Sequence, residues 1–341
     1  MISTPPTKHI PNAKWSCKSC GDCCKGFSFG PVEPEIVENL KKKQIELLWE
    51  PAKDGWYTTN PHTQEIYFTH VDGHCVFLND KNLCTIHGLW GSTAKPWFCR
   101  EYPFFVVEDE QGYNITVRED CTGTHKTIHS GETIESQIQD VLSIVRPIPY
   151  QKFCPQHVVV FPNLAISPSN WLQLEPMFLE KCQQNVHVSI QNIKNTIYQL
   201  TGREKIQTTV AVDDLLKAVC IQLYKDITEA SIPANMNAHK EYILSILSRY
   251  TSVSVSTPID ATTTEFFLQV LRNRILGKDF ARMGSLPIAL GWILCESVLF
   301  TDQLSISGAE FAKWRRVVLI PVFWEQIRKN AKLLEYIFLA V

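Results

Sequence analysis

Cys17-Lys18-Ser19-Cys20-Gly21-Asp22-Cys23-Cys24 places four thiols in eight residues, and the reading of that run decides what must fold around it. A C-x2-C step lets two thiolates converge on one ion or cluster around a tight turn, and Gly21 with its small polar neighbours permits the turn. Zinc ribbons usually hold two such knuckles far apart. Here the steps are compressed, which is closer to iron–sulfur ligation. The run still differs from the bacterial ferredoxin pattern, since the x3 step and the trailing proline are missing. Nor is it the C-x3-C-x2-C of radical enzymes that cleave S-adenosylmethionine.

Further along lie Cys75, Cys84, Cys99 and Cys121, each at the edge of an expected strand or turn. With the first four they make eight, whereas one tetrahedral zinc or one [4Fe–4S] cluster takes four. Adjacent Cys23 and Cys24 are expected to project in different directions. The arithmetic therefore favours two adjacent sites, or one site plus several packing cysteines, because a free cysteine is often simply core. Of the 12 cysteines nine fall at or before Cys154, leaving Cys182, Cys220 and Cys295 in the second half. Residues 1–15 lack the basic-then-apolar profile of a signal peptide. Clustered thiols in such a chain point to the reducing cytoplasm, and to metal or redox chemistry rather than disulfides.

The combination of motifs resembles the YkgJ-type cysteine-cluster family, zinc- or iron-chelating domains whose signature is C-x2-C-x2-C-C. Cys84-Thr85-Ile86-His87 is similar to the family's C-x-I-[YH], Lys95-Pro96-Trp97-Phe98-Cys99-Arg100 to its basic-Pro-x-x-C-R, and Tyr102-Pro103-Phe104 to its aromatic-Pro-Phe. Asp120-Cys121-Thr122-Gly123 resembles the closing C-x-G. The likeness covers roughly residues 15–125. It departs from the short members in the eight residues from His87 to Ala94 that separate the two middle motifs, and in having lysine at 95. Longer relatives, the flagellin lysine N-methyltransferases, carry a similar spacer and a helical C-terminal region. The resemblance thus implies a protein-lysine methyltransferase using S-adenosylmethionine as an alternative, although no glycine-rich fingerprint for that cofactor is present.

The surroundings suit an α+β metal domain with short antiparallel strands, followed by an all-helical region. Residues 12–145 read as the loop-rich cysteine domain, 146–168 as a proline-rich connector and 169–341 as the helical domain. A helix is expected over 34–49, and strands at Glu65–His70 and Cys75–Leu78. Phe104–Glu108 and Tyr113–Arg118, joined through Asp109-Glu110-Gln111-Gly112, form a hairpin pattern. Apolar residues recur at helical spacing over 171–200, 212–230, 238–250, 263–276, 287–300 and 308–338, with Pro321 expected to split the last.

At 45% hydrophobic, 20% charged and a net charge of -2, the 341 residues are neither disordered nor drawn to nucleic acid or anionic membranes. No apolar stretch is long enough to span a bilayer. A protein partner or protein substrate is the remaining class. His74 and His87 are candidates to replace a thiolate or to hydrogen-bond the centre from outside, and Arg100 to donate to cluster sulfur or a carboxylate. Cys154 reads as an isolated structural cysteine, the last three cysteines as core, and His125 and His129 as parts of a solvated loop. No G-x-S-x-G, H-E-x-x-H or P-loop motif appears, so catalytic residues stay unassigned. A zinc-stapled interaction module is the third reading, in which the metal only replaces a missing core.

Overall fold

The computed structural model describes residues 6–25, 30–145, 152–206, 208–249, 255, 259–300 and 308–341. Strands β1 (Thr7–His9) and β2 (Lys14–Trp15) lead into the cysteine run, and helices α1 (Pro34–Lys42) and α2 (Ile45–Leu48) follow it. Pro34 occupies the first turn of α1, where a missing N–H costs nothing, and the helix buries Ile36, Val37 and Leu40. The helix expected over 34–49 is broken at Gln44, whose φ of 53° is left-handed and cannot continue an α-helix. Two small antiparallel hairpins come next, β3 (Tyr57–Thr59) with β4 (Ile66–Phe68) and β5 (His70–Val71) with β6 (His74–Cys75). Leu40, Ile45, Trp56, Phe68, Phe77 and Ile86 share a modest core with them.

Helices α3 (Thr85–Trp90) and α4 (Trp97–Glu101) precede the expected hairpin, β7 (Phe104–Asp109) and β8 (Gly112–Val117). Its register runs from Phe104 opposite Val117 to Asp109 opposite Gly112. Gly112, at φ 125°, closes the turn and passes so near the Pro6 carbonyl that no side chain fits. β1, not foreseen, adds to β8 in parallel, giving a three-stranded sheet in the order β1-β8-β7. Then come α5 (Thr122–Lys126), β9 (Glu132–Thr133), which pairs β2, and α6 (Ile134–Ile144).

Part of the expected connector, residues 146–151, lies outside the described residues, as do Gly26 and Tyr250. The remainder contains a hairpin, β10 (Val158–Phe161) with β11 (Leu164–Ile166). Val158, Val160 and Phe161 join the same core as the helices beyond, together with Val107 from the sheet and Ile128.

The helical region comprises α7 (Pro168–Glu180), α8 (Val186–Thr201), α9 (Val212–Glu229), α10 (Asn237–Leu247), α11 (Ala261–Leu276), α12 (Phe280–Met283), α13 (Leu286–Leu299), α14 (Gly308–Val318), α15 (Pro321–Lys329) and α16 (Ala331–Ala340). Asn185, Asp260 and Ser285 cap α8, α11 and α13 by accepting from backbone N–H groups of the first turn. The pattern over 171–200 is two helices rather than one, since Asn185 starts a new one. Pro321 begins α15, as its position predicted. α13 is buried on nearly all sides. Gly291 lets α16 cross it at the Leu334 carbonyl, where an added Cβ would collide with backbone. The protein is α+β, with short strands in the N-terminal part and mostly helices after it.

Candidate metal centre

The first four cysteines are shaped by Gly21. Its φ of 71° turns the chain left-handed into a 3-10 turn over Asp22–Cys24, closed by the Cys24 N–H donating to the Gly21 carbonyl at 2.8 Å. A Cβ at Gly21 would lie 2.9 Å from Asn82 Cβ, so this turn packs directly on the loop before Cys84. The same turn corrects the expectation that Cys23 and Cys24 diverge. Successive side chains on a 3-10 turn are about 120° apart rather than opposed as on a strand. Their sulfurs are 4.0 Å apart.

Four other elements present the remaining thiols. Cys75 ends the β5–β6 hairpin. Asn79 organises the next turn, its side-chain oxygen accepting from the N–H groups of Lys81 at 3.0 Å and Leu83 at 2.9 Å, and this delivers Cys84 to the start of α3. Cys99 sits within α4, and Cys121 occupies the N-cap of α5. Thr122 donates to Asp22 at 2.7 Å, tying the Cys121 turn to the cysteine run across 100 residues of chain.

All eight cysteines, Cys17, Cys20, Cys23, Cys24, Cys75, Cys84, Cys99 and Cys121, line one cavity of about 500 Å³. Trp15, Phe68, Phe77, Ile86 and Tyr102 are among the residues that make much of its wall apolar, and His87 and Lys95 reach it too. His74 and Arg100 do not line it. His74 is exposed on β6, and Arg100 lies in α4 with its Nε buried and unpartnered. Cys154 is exposed and lies off the cavity, while Cys182, Cys220 and Cys295 are buried among the helices, as core cysteines should be. None of the twelve is in a disulfide. The expected solvated loop at His125 and His129 is corrected in part: His125 is on α5, edge-on to Phe266 at 5.0 Å, and half-buried.

Burial sets the chemistry of these thiols. It pushes Cys99 up strongly, Cys75 up to about 12, and Cys20 and Cys121 up as well. Cys23 rises most through its hydrogen bond with Cys24, then through burial. A cavity wall of this kind keeps thiols protonated until a cation stabilises the thiolate. The Lys95 ammonium opposes the shift at Cys23, Cys75 and Cys99. Trp15 eases it at Cys121. The Trp15 indole N–H is buried, and its partner on the cavity side is the Cys121 sulfur. Eight thiols free of disulfides, an indole N–H directed at sulfur and a lysine are a donor set that fits a thiolate-bound metal. The thiols are distributed round the wall: among the described residues no three His, Cys, Asp or Glu side chains are gathered tightly around a single point.

Behind the cavity, the turn that follows β8 runs into buried charge. Tyr102 donates to Asp120 at 3.3 Å, Arg118 pairs with Asp120 at 2.6 Å, and Arg316 of α14 donates to the Asp120 carbonyl at 2.7 Å. Glu119 meets Arg274 of α11 at 2.7 Å and Arg315 of α14 at 3.2 Å, and both arginines also bind Glu296 of α13. Those two arginines draw the Glu119 carboxyl down to about 2 against its burial. A second buried group joins Lys278, which ion-pairs with Glu175, to Asp109 at 3.4 Å. Trp15, Lys95 and these networks escaped the sequence reading as site components. The one signal in the sequence was Lys95 itself, the basic residue of the Lys95-Pro96-Trp97-Phe98-Cys99-Arg100 motif.

Comparison with known families now bears on the cavity. Residues 16–122 match the family model CxxCxxCC, described as "Putative zinc- or iron-chelating domain". This part of the chain is similar to the cysteine-cluster domains of that family. The matched span begins beside Trp15 and ends one residue after Cys121, so it contains all eight cavity thiols. No curated protein and no solved structure matches the chain.

Proposed function

We propose that the protein is an iron–sulfur protein of the cysteine-cluster type, with residues 12–145 as the metal-binding module, seated on a helical body of residues 169–341. The eight cavity cysteines are its ligands. One observation carries this reading: eight free thiols, from five separate stretches of chain, wall one cavity. A tetrahedral zinc holds its sulfurs at about 2.3 Å and so about 3.8 Å from one another. A cluster several atoms wide takes thiolates from a broader wall, which suits a cavity of about 500 Å³.

The thiols act on one another around the wall. Cys75 and Cys99 each feel Cys84 and Cys23 as charged neighbours, with Lys95 beside them. Cys23 in turn hydrogen-bonds with Cys24 and acts on Cys20, so the thiols form one linked set around the cavity. A bound cluster supplies electron storage or Lewis acidity. The chain's own part is to hold the thiolates, screen them from water with Phe68, Phe77 and Tyr102, and donate hydrogen bonds to sulfur. Unpaired cysteines throughout are in keeping with a reducing compartment such as the cytoplasm.

The test is metal and acid-labile sulfide analysis of anaerobically isolated full-length protein. Brown protein with equimolar iron and sulfide is expected. Colourless protein with stoichiometric zinc would replace the cluster by zinc at the same thiols, and folded protein without either metal would overturn the reading.

A further inference from the structure

Two lysines line the cavity among the described residues, exposed Lys18 and half-buried Lys95, and it is Lys95 whose charge acts on the cavity thiols. Nearby lysines have other partners: Lys8 lies by Asp109 and Glu175, Lys25 by Asp22, Lys41 by Glu38 and Lys53 by Glu50. Lys95 has no carboxylate within ion-pair distance among the described residues, although it is half-buried in the cavity wall. Its charge acts on Cys23, Cys75 and Cys99, which come from three different elements. The backbone fixes it there. Its own N–H donates to the Ser92 carbonyl at 3.0 Å, and Pro96 behind it starts α4 with Trp97 buried beneath.

A half-buried ammonium without an anion is unfavourable unless the anion arrives with function. We propose that Lys95 is a positioning residue for the thiolate centre, a fixed counter-charge that stabilises the anionic metal-bound state through space without ligating the metal. This rests on the reading of the cavity as a metal centre. Four thiolates carry more negative charge than a divalent ion or an iron–sulfur core neutralises. A unit positive charge a few ångströms away in a half-buried site is worth a factor of about ten or more in stability of that state.

Two measurements on the full chain test it, with Lys95→Gln and Lys95→Arg beside the wild type. In the first, each protein is loaded with Zn2+ as the probe and competed to equilibrium against a neutral chelator at fixed pH and ionic strength. Lys95→Gln should bind about tenfold more weakly, and Lys95→Arg within about threefold of wild type. In the second, peptides containing Cys23 and Cys75 are followed by mass spectrometry during reaction with iodoacetate and with iodoacetamide. The ratio of the two rates cancels the thiolate fraction and reads only the local field on an anionic reagent. That ratio should fall several-fold in Lys95→Gln and hold in Lys95→Arg, with exposed Cys154 unchanged in all three as the internal reference. Unchanged affinity and ratio in Lys95→Gln would overturn the proposal, as would a Lys95→Arg variant as impaired as Lys95→Gln. If wild type takes up no Zn2+, the metal reading fails, and the alkylation ratio still decides whether Lys95 sets the field in the cavity.

Discussion

Replacing Glu119 by glutamine should loosen the joint between the cysteine domain and the helices, and the structure sets how much. Glu119 is a nearly buried carboxylate shared by Arg274 and Arg315, whose side chains are 4% exposed. Deleting a buried partner that leaves a lone charge costs about 3–5 kcal/mol. Here Glu296 and Asp279 remain beside the two arginines, so two charges of each sign survive. The glutamine oxygen can also still accept one bond. The expected cost is therefore lower, about 2–3 kcal/mol at pH 7. Linkage supplies an independent check. The folded carboxyl is drawn from 4.5 to about 2, so its contribution is complete above about pH 5 and is lost as pH falls towards 2. The full shift is worth about 3 kcal/mol, and by pH 3 less than half of it should remain. Urea unfolding of wild type and Glu119→Gln at pH 7, 5, 4 and 3 measures the gap directly, and acid loss of metal, common to both proteins, cancels in the difference. A gap that stays constant from pH 7 to pH 3, or that is under about 0.5 kcal/mol at pH 7, would refute the argument.

Four further outcomes are expected. Gly21→Ala, which must adopt φ 71° against Asn82 and Leu78, should lower metal stoichiometry by half or more while far-UV circular dichroism stays near wild type. Gly291→Ala should cost about 3 kcal/mol or more in urea unfolding, because the clash is with α16 backbone and not with a side chain that can move. Cys154→Ser should leave metal content unchanged and Cys99→Ser should reduce it, both read by elemental analysis of purified protein. Metal removal should speed hydrogen exchange in residues 17–25 and 70–101 while 104–117 stays protected, since the β7–β8 hairpin is held by cores shared with the helices.

What was legible in the sequence follows from how local each signal is. The β7–β8 hairpin was readable because its alternation and its turn ending in Gly112 are local facts, and so were the periodic α9, with Asp213 and Asp214 in its first turn, and the apolar run of α13 behind its Ser285 cap. The break at Gln44 was not, because nothing in a glutamine announces a left-handed conformation that tertiary packing imposes. β1 was missed for a related reason. Thr7-Lys8-His9 has no alternating pattern, and it becomes a strand by pairing with β8 more than a hundred residues later. At the site, the eight thiols could be named from spacing, but their sharing of one cavity could not, since it depends on Gly21 packing on the Asn79–Cys84 loop and on Thr122 reaching Asp22.

The proline-rich stretch makes the same point for the domain division. Prolines at 155, 162 and 168 read as linker, yet Val158, Val160 and Phe161 between them are as buried as any helix residue. The continuous apolar run Val158–Phe161 outweighs the prolines, which fall outside the paired residues of β10 and β11 and so remove no ladder hydrogen bond. With Leu276 of α11 packed among Ile115, Val117 and Ile138, the β1-β8-β7 sheet has apolar partners on the helical side. The lobe carrying Cys75 and Cys84 has only the small core around Trp56 and Phe77. A lobe so thin in apolar burial gains the most from a metal clasp, whereas the sheet behind it does not need one. Loss of metal should therefore be felt first in front of the hairpin, and the Glu119 junction should keep the sheet and the helices together when it is.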